Sequence, residues 1–271
     1  MVRAVAAALA LTASLTVVGS ALAALSTSTG NPANTWAALP YYTCSAAVVS
    51  DSPYLWWRFD EAAGATAADS SGNNRPGAYT GGTTLGGARA CPRDTGAAVT
   101  LNGTTGYIGA GIGTVAVAGP TVFTIEVWFK TAVTGGKLLG FSGSPTGQST
   151  SYDRHLFLNN TGNLVFGVYP GAVKVVVSPK TYTDNIWHHA AATLSGAGMR
   201  LYVDGAQVAA DPTTTTAQAF TGYWRAGYDN LTGWGTNTPT NFYFTGSLDD
   251  AAIYPTALTP TKIAAHYNAG R

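Results

Sequence analysis

The chain has 271 residues, 46% of them hydrophobic and only 10% charged, with a formal net charge of +1. That is enough apolar material for one large all-β domain or two small ones, and it gives no electrostatic reason to expect nucleic acid or an anionic membrane as partner. Loss of Arg3 with a signal sequence leaves 13 basic and 13 acidic residues, a neutral chain better suited to neutral glycans or protein surfaces.

The N-terminus, residues 1–23, carries one Arg, an apolar run and Ala21-Leu22-Ala23 at its end. This reads as a secretory signal cleaved after Ala23, the alternative being an uncleaved anchor over residues 4–25. Residues 24–50 are rich in Ser, Thr, Asn and Pro and read as an extended leader, with Trp36 available to pack on the domain. The two cysteines, Cys44 and Cys91, form an even pair in an exported chain and so read as a disulfide. The loop it closes is worth about 4 kcal/mol in the chain-entropy model.

Residues 51–271 read as one domain. In Tyr54–Asp60, Leu55, Trp57 and Phe59 alternate with Tyr54, Trp56, Arg58 and Asp60, the period of a half-buried strand. A Gly-, Ser-, Asn- and Asp-rich loop follows. Further strands are expected at Ala98–Asn102, Tyr107–Ala110, Val122–Thr131, Lys137–Phe141, His155–Leu158, Leu164–Tyr169, Val173–Val177, Trp187–Leu194 and Met199–Val203. Asp204-Gly205 suits a primed hairpin turn into Ala206–Ala209. Asp211–Phe220 reads as loop, Tyr223–Tyr228 as strand, and Asp229–Asn241 as a long polar loop. The last strand, Phe242–Tyr254, should pair with the first. A helix closes the chain, with Thr259 as N-cap, Pro260 at N1 and Gly270 past its end. About a dozen short strands predict an all-β, two-sheet antiparallel jelly-roll sandwich with one short C-terminal helix.

The residues that carry a resemblance now stand in order. They are Trp57-Arg58-Phe59-Asp60-Glu61, Asp69-Ser70-Ser71-Gly72-Asn73, Phe123–Trp128, Trp187-His188-His189, Leu201–Gly205 and Gly246-Ser247-Leu248-Asp249-Asp250. Over about residues 50–270 the series resembles the laminin-G-like domain of the concanavalin A-like lectin/glucanase superfamily, in its bacterial secreted form. The resemblance implies a jelly roll, a calcium site, and binding to glycans or proteins. It also implies that Asp249 and the Asp69 loop share the metal, and that His188-His189 is structural.

The residues support that metal in part. Calcium takes six to eight oxygens from carboxylates, amides and carbonyls, and Asp69, Asn73 and Asp249 are the expected ligands, with Glu61 a further one. Leu248, Ala251 and Ile253 keep one face only if a bulge falls at Asp249-Asp250; Asp250 is then expected to face solvent. The alternative is that Asp69 and Asn73 simply cap turns. A carbohydrate site is expected around Tyr223, Trp224, Tyr228, Asn230 and Trp234, where aromatic faces sit among amides. Trp224 and Tyr228 have strand spacing and could be core, whereas Trp234, in a Gly-rich loop, is expected exposed. The acidic motif of the superfamily's glucanases is missing after Glu126, and the only glutamates are Glu61 and Glu126.

The expectation is therefore a secreted, non-catalytic binding module for carbohydrate or a glycosylated surface, with structural calcium. One alternative is a structural or adhesive cell-envelope protein that binds other proteins; a second is a divergent glycoside hydrolase. No membrane insertion is expected once the signal is removed.

Overall fold

The computed structural model describes residues 41–271; the expected signal sequence and the leader through residue 40, Trp36 included, lie outside the described residues. The chain begins with α1 (Cys44–Ser50), β1 (Leu55–Trp57), β2 (Thr66–Ala67), β3 (Gly77–Thr80), β4 (Thr83–Gly87), β5 (Ala98–Asn102) and β6 (Tyr107–Ala110). Then follow β7 (Val117–Ala118), β8 (Phe123–Lys130), β9 (Lys137–Ser142), β10 (Tyr152–Leu158), β11 (Asn163–Val168) and β12 (Lys174–Thr181). The last elements are β13 (His188–Ser195), β14 (Gly198–Val203), β15 (Ala206–Asp211), β16 (Thr221–Ala226), β17 (Thr245–Tyr254) and α2 (Pro260–Ala269).

These strands form two antiparallel sheets. The first runs β15-β14-β13-β8-β17-β5-β4, with β1 also paired to β17. The second runs β12-β11-β10-β9-β16-β6-β3-β2, with β7 on β16. The opening strand does pair with the last, Leu55 opposite Ile253 and Trp57 opposite Ala251. It is shorter than the alternation suggests because Phe59 takes a φ of +59° and turns the chain. Phe59 is nevertheless fully buried in the core between the sheets.

The central strands of each sheet are buried on both faces, which alternation alone does not reveal. In β8, Phe123, Ile125, Val127 and Phe129 enter the inter-sheet core, while Glu126 and Trp128 face outward and are still buried. Their cover is α1, α2 and the turn before α2, which pack Val48, Ile263 and Leu258 against Trp56, Tyr202 and Tyr254. α1 replaces the extended reading of residues 44–50. Thr43 caps it by accepting a hydrogen bond from Ala46 N, and the Cys44–Cys91 disulfide ties it down. On the second sheet, Leu231 and Trp234 of the 229–243 segment cover Phe157 and Val165.

Three local expectations hold. The β14–β15 turn has φ of +52° at Asp204 and +77° at Gly205, the signs of a type I′ turn. The bulge in β17 lies between Asp249 and Ala252, opposite Trp128 and Glu126, with Asp250 at φ +45°. Thr259 caps α2 by accepting from Lys262 N, with Pro260 at its first turn. None of the helices among the described residues is long and apolar enough to cross a membrane.

Candidate functional site

The loop after β1 is built around Asp69. Its Oδ1 accepts from Trp56 N (3.0 Å) and Ser71 N (3.0 Å), and its Oδ2 from Arg75 N (2.8 Å). Asn73 donates to the carbonyls of Pro53 and Tyr54, each at 3.1 Å. Both side chains thus do the turn-capping work described for Asx residues. Among the described residues no hydrogen bond links either of them to Asp249. Glu61 is also engaged, accepting from Ala68 N (2.7 Å) and the Tyr79 hydroxyl (2.5 Å).

Asp249 is buried at the bulge and accepts from Ala90 N at 2.7 Å. Asp250 does not face solvent as expected; the bulge turns it under Trp56, whose Nε1 donates to it at 2.9 Å. Burial pushes the Asp250 carboxyl up to about 7. Burial and the neighbouring Asp250 charge push Asp249 up as well. Among the described residues neither carboxylate makes an ion pair with a basic side chain. The Asp94 and Asp250 carboxylates and the sulfurs of Cys44 and Cys91 lie within 4.8 Å of one another, but sulfurs joined in a disulfide are not ligands for a hard cation. Of the three expected calcium ligands, Asp69 and Asn73 hold their own loop through backbone hydrogen bonds, and Asp249 is a buried carboxylate at the bulge of β17.

The expected carbohydrate residues also rearrange. Trp224 is core, edge-on to Phe123 and Phe141. Tyr228 is buried and stacks on Tyr243 with ring centroids 3.7 Å apart. Trp234 is only 2% exposed, contrary to expectation: its indole lies over Gly167, where an added Cβ would come within 2.5 Å of the ring. Asn230 donates to Ser149 O (3.2 Å) and accepts from Thr232 N (2.9 Å), shaping the loop. Tyr223 is half-buried on β16. Beneath the loop lies a buried polar layer. Lys137 donates to Ser142 Oγ at 3.0 Å, and Asp229 stands 3.6 Å from both Lys137 and Arg225. Burial pushes Lys137 down to about 7.

A pocket of about 340 Å³ opens at the rim of the loop. Thr150, Tyr152, Tyr169, Gln218, Thr232 and the edge of Trp234 line it, and no charged side chain does. Tyr152 is fixed by its hydroxyl, which donates to Thr232 O at 2.8 Å. Tyr169 is 39% exposed. The residues expected from sequence include Trp234 of this lining but not Tyr152, Tyr169 or Gln218. The signal for them was weak, since a tyrosine at a strand end has no period to mark it.

The histidine pair behaves as structural. His188 lies between Asp204 (2.8 Å) and Asp184 (3.2 Å); burial lowers its pKa, but these carboxylates outweigh burial and raise it. His189 turns to the opposite face, 3.2 Å from Glu126.

Comparison with known proteins fits this architecture. A family model described as the Concanavalin A-like lectin/glucanases superfamily, of laminin-G type, matches residues 102–264, more than half the chain. No curated protein sequence matches. Among solved structures, domain 4 of an extracellular arabinanase from Geobacillus stearothermophilus, in complex with arabinotriose, is 19% identical with a TM-score of 0.51. That match covers 81% of this chain and 98% of that one. The receptor-binding domain of the botulinum neurotoxin C/D mosaic serotype is 14% identical, with a TM-score of 0.54, over 81% of this chain and 52% of that one. A Trypanosoma rangeli sialidase in complex with sialic acid is 13% identical, with a TM-score of 0.56, over 81% of this chain and 33% of that one. The long family match and the shared two-sheet fold make this chain a member of the concanavalin A-like lectin/glucanase superfamily, of the laminin-G type.

Proposed function

We propose that the protein is an exported, non-catalytic module that binds a neutral glycan in the pocket between Tyr152, Tyr169 and Gln218. One observation carries this reading. The pocket joins aromatic side chains to an amide and hydroxyls and has no charged side chain in its lining. Sugars need that mixture: their C–H faces pack on aromatic rings while their hydroxyls require hydrogen-bond partners. The disulfide and the laminin-G type suit an extracellular setting. The arabinanase domain, solved with arabinotriose, is a relative in fold whose ligand has this chemistry.

The test is a polysaccharide array with residues 24–271 and its Tyr169→Ala variant. The wild type is expected to bind a neutral glycan, and the variant to lose about tenfold or more in affinity, about 1.4 kcal/mol. A folded protein that binds no glycan would turn the reading toward a protein-binding envelope component.

Calcium belongs to the same proposal, with Asp249 as its buried carboxylate ligand and Asp60 as a neighbour. The ion would neutralise the buried Asp249 and Asp250 carboxylates, which among the described residues have no basic ion-pair partner, and so hold the 88–97 segment on β17. At a hundredfold excess over its dissociation constant, such an ion stabilises by about 2.7 kcal/mol, which is roughly 5–10 °C for a domain of this size. Asp249→Asn is expected to lower Tm by that amount in calcium, and to leave Tm level or slightly raised in chelator, because it removes a buried charge. Equal losses in both media would sink the metal role.

A further inference from the structure

A second opening lies on the other side of the molecule's loops, around Tyr54, and the site described above does not use it. Two pockets, of about 310 Å³ and about 450 Å³, share Tyr54 and Pro255 in their walls. The two adjoin at these residues and together make a groove along Tyr54 and Pro255. One half is apolar, walled by Val117, Pro120, Trp224 and Pro255, with Arg75 as its only charged side chain. The other half presents Ser70, Ser71 and Asn73.

Arg75 is the unusual member. Its guanidinium lies flat over the Tyr54 ring, with Cζ 3.8 Å from the centroid. Its NH1 donates to Tyr54 O at 3.2 Å and to Asn73 O at 3.4 Å. These contacts fix the plane of the fork. Among the described residues Nε and NH2 have no hydrogen-bond partner, and no carboxylate forms an ion pair with Arg75, although the chain's other half-buried arginine in this region, Arg58, pairs with Asp60 at 2.8 Å. A planar, immobilised guanidinium with one edge free is the side chain best matched to a carboxylate, which it holds through two parallel hydrogen bonds. Prolines and the Tyr54 edge suit C–H faces, and the serine hydroxyls and the Asn73 side-chain oxygen suit hydroxyls.

We infer that this groove binds a carboxylate-bearing sugar, a uronic acid unit within an oligosaccharide, with the carboxylate on Arg75 and the neighbouring unit along Ser70, Ser71 and Asn73. The serine hydroxyls of the second half favour a sugar, whose own hydroxyls they can meet. The site adds an acidic-glycan subsite to a module already read as glycan-binding, but it does not rest on the Tyr169 pocket, from which it differs in every lining residue.

Titration calorimetry of residues 24–271 with trimeric oligouronates of several types, and with their fully methyl-esterified forms, tests it. At least one acid form is expected to bind, and its ester to bind at least tenfold more weakly. Arg75→Gln should cost tenfold or more for the acid and leave Tyr169-dependent neutral binding unchanged. Should Arg75→Gln disturb its loop, Val117→Trp fills the apolar half with Arg75 intact and should also abolish acid binding. Equal binding of acid and ester, retention of acid binding in both variants, or binding by carboxyl-terminal peptides in place of every oligouronate would overturn the assignment.

Discussion

Replacing Glu126 with Gln is expected to destabilise the domain by about 3–5 kcal/mol, the usual cost of removing one member of a buried ionic network. Glu126 is 1% exposed. Its carboxylate accepts from the Tyr254 hydroxyl, stands 3.0 Å from His266 Nδ1, and stands 3.2 Å from His189 Nε2. His266 Nε2 continues to Asp51 at 3.1 Å, at the end of α1. The network thus joins β8, β13, β17 and both helices at one point on the outer face of the first sheet. Loss of the charge leaves His266 buried without its nearer counter-charge and Tyr254 with a weaker acceptor. At roughly 2–4 °C per kcal/mol for a domain of this size, Tm should fall by about 10 °C.

The same network sets a pH window. Burial alone would raise the Glu126 carboxyl, but His266 and His189 outweigh it and hold it well below the ordinary carboxylate range. A carboxyl lowered in the folded state contributes stability above its unfolded pKa and loses it as pH falls. His266 is raised: burial opposes its charge, but Glu126 and Asp51 prevail. That contribution is complete below its unfolded pKa and is lost as pH rises through the raised folded value. Urea unfolding of the wild type should therefore show weaker stability on both sides of a maximum between about pH 4.5 and 6.5. In Glu126→Gln the acid limb should flatten. An unchanged acid limb would show that Glu126 is not the group responsible.

The second large effect is at the disulfide. Cys44 and Cys91 are 47 residues apart in sequence, so replacing both by Ser should cost about 4 kcal/mol in the chain-entropy model. The bridge also holds α1 in place. Ser45 N donates to Asp94 Oδ2 at 2.9 Å beside it, and an added Cβ on Gly270 would come within 3.0 Å of the Cys44 sulfur and 2.4 Å of the Trp128 ring. A seven-residue helix with two valines has little stability of its own, so α1 should exchange its amide hydrogens rapidly once the bridge is gone, while β8 stays protected. A loss below about 1 kcal/mol, or uniform deprotection of β8 and α1, would contradict this account.

What could be read from the sequence was what depends on neighbours in the chain. The Asp204-Gly205 turn, the Thr259 cap and the phase break at Asp249-Asp250 each follow from a few adjacent residues. Pairing of the first and last strands was legible because both carry long apolar alternation that must meet a partner. The misses involve partners far away. Trp234 sits in a polar loop and looks exposed, yet Gly167 leaves room for its ring on the second sheet. Asp250 and Glu126 occupy outward positions that polar residues normally hold, and partners distant in sequence bury them, Trp56 over Asp250 and His266 of α2 over Glu126. α1 lacks an apolar period long enough to announce a helix. Asp69 and Asn73 are the kind of residue that either binds calcium or caps a turn, and composition does not separate the two. In the structure three backbone N–H groups donate to Asp69.

The most direct test of the central claim is hydrogen exchange of residues 24–271 with and without the neutral glycan selected on the array. Added protection is expected over residues 150–152, 169–173, 218 and 232–234, the segments that wall the Tyr152–Tyr169 pocket, with little change at residues 53–75. Protection confined to any other surface would contradict the assignment of the neutral-glycan site to this face.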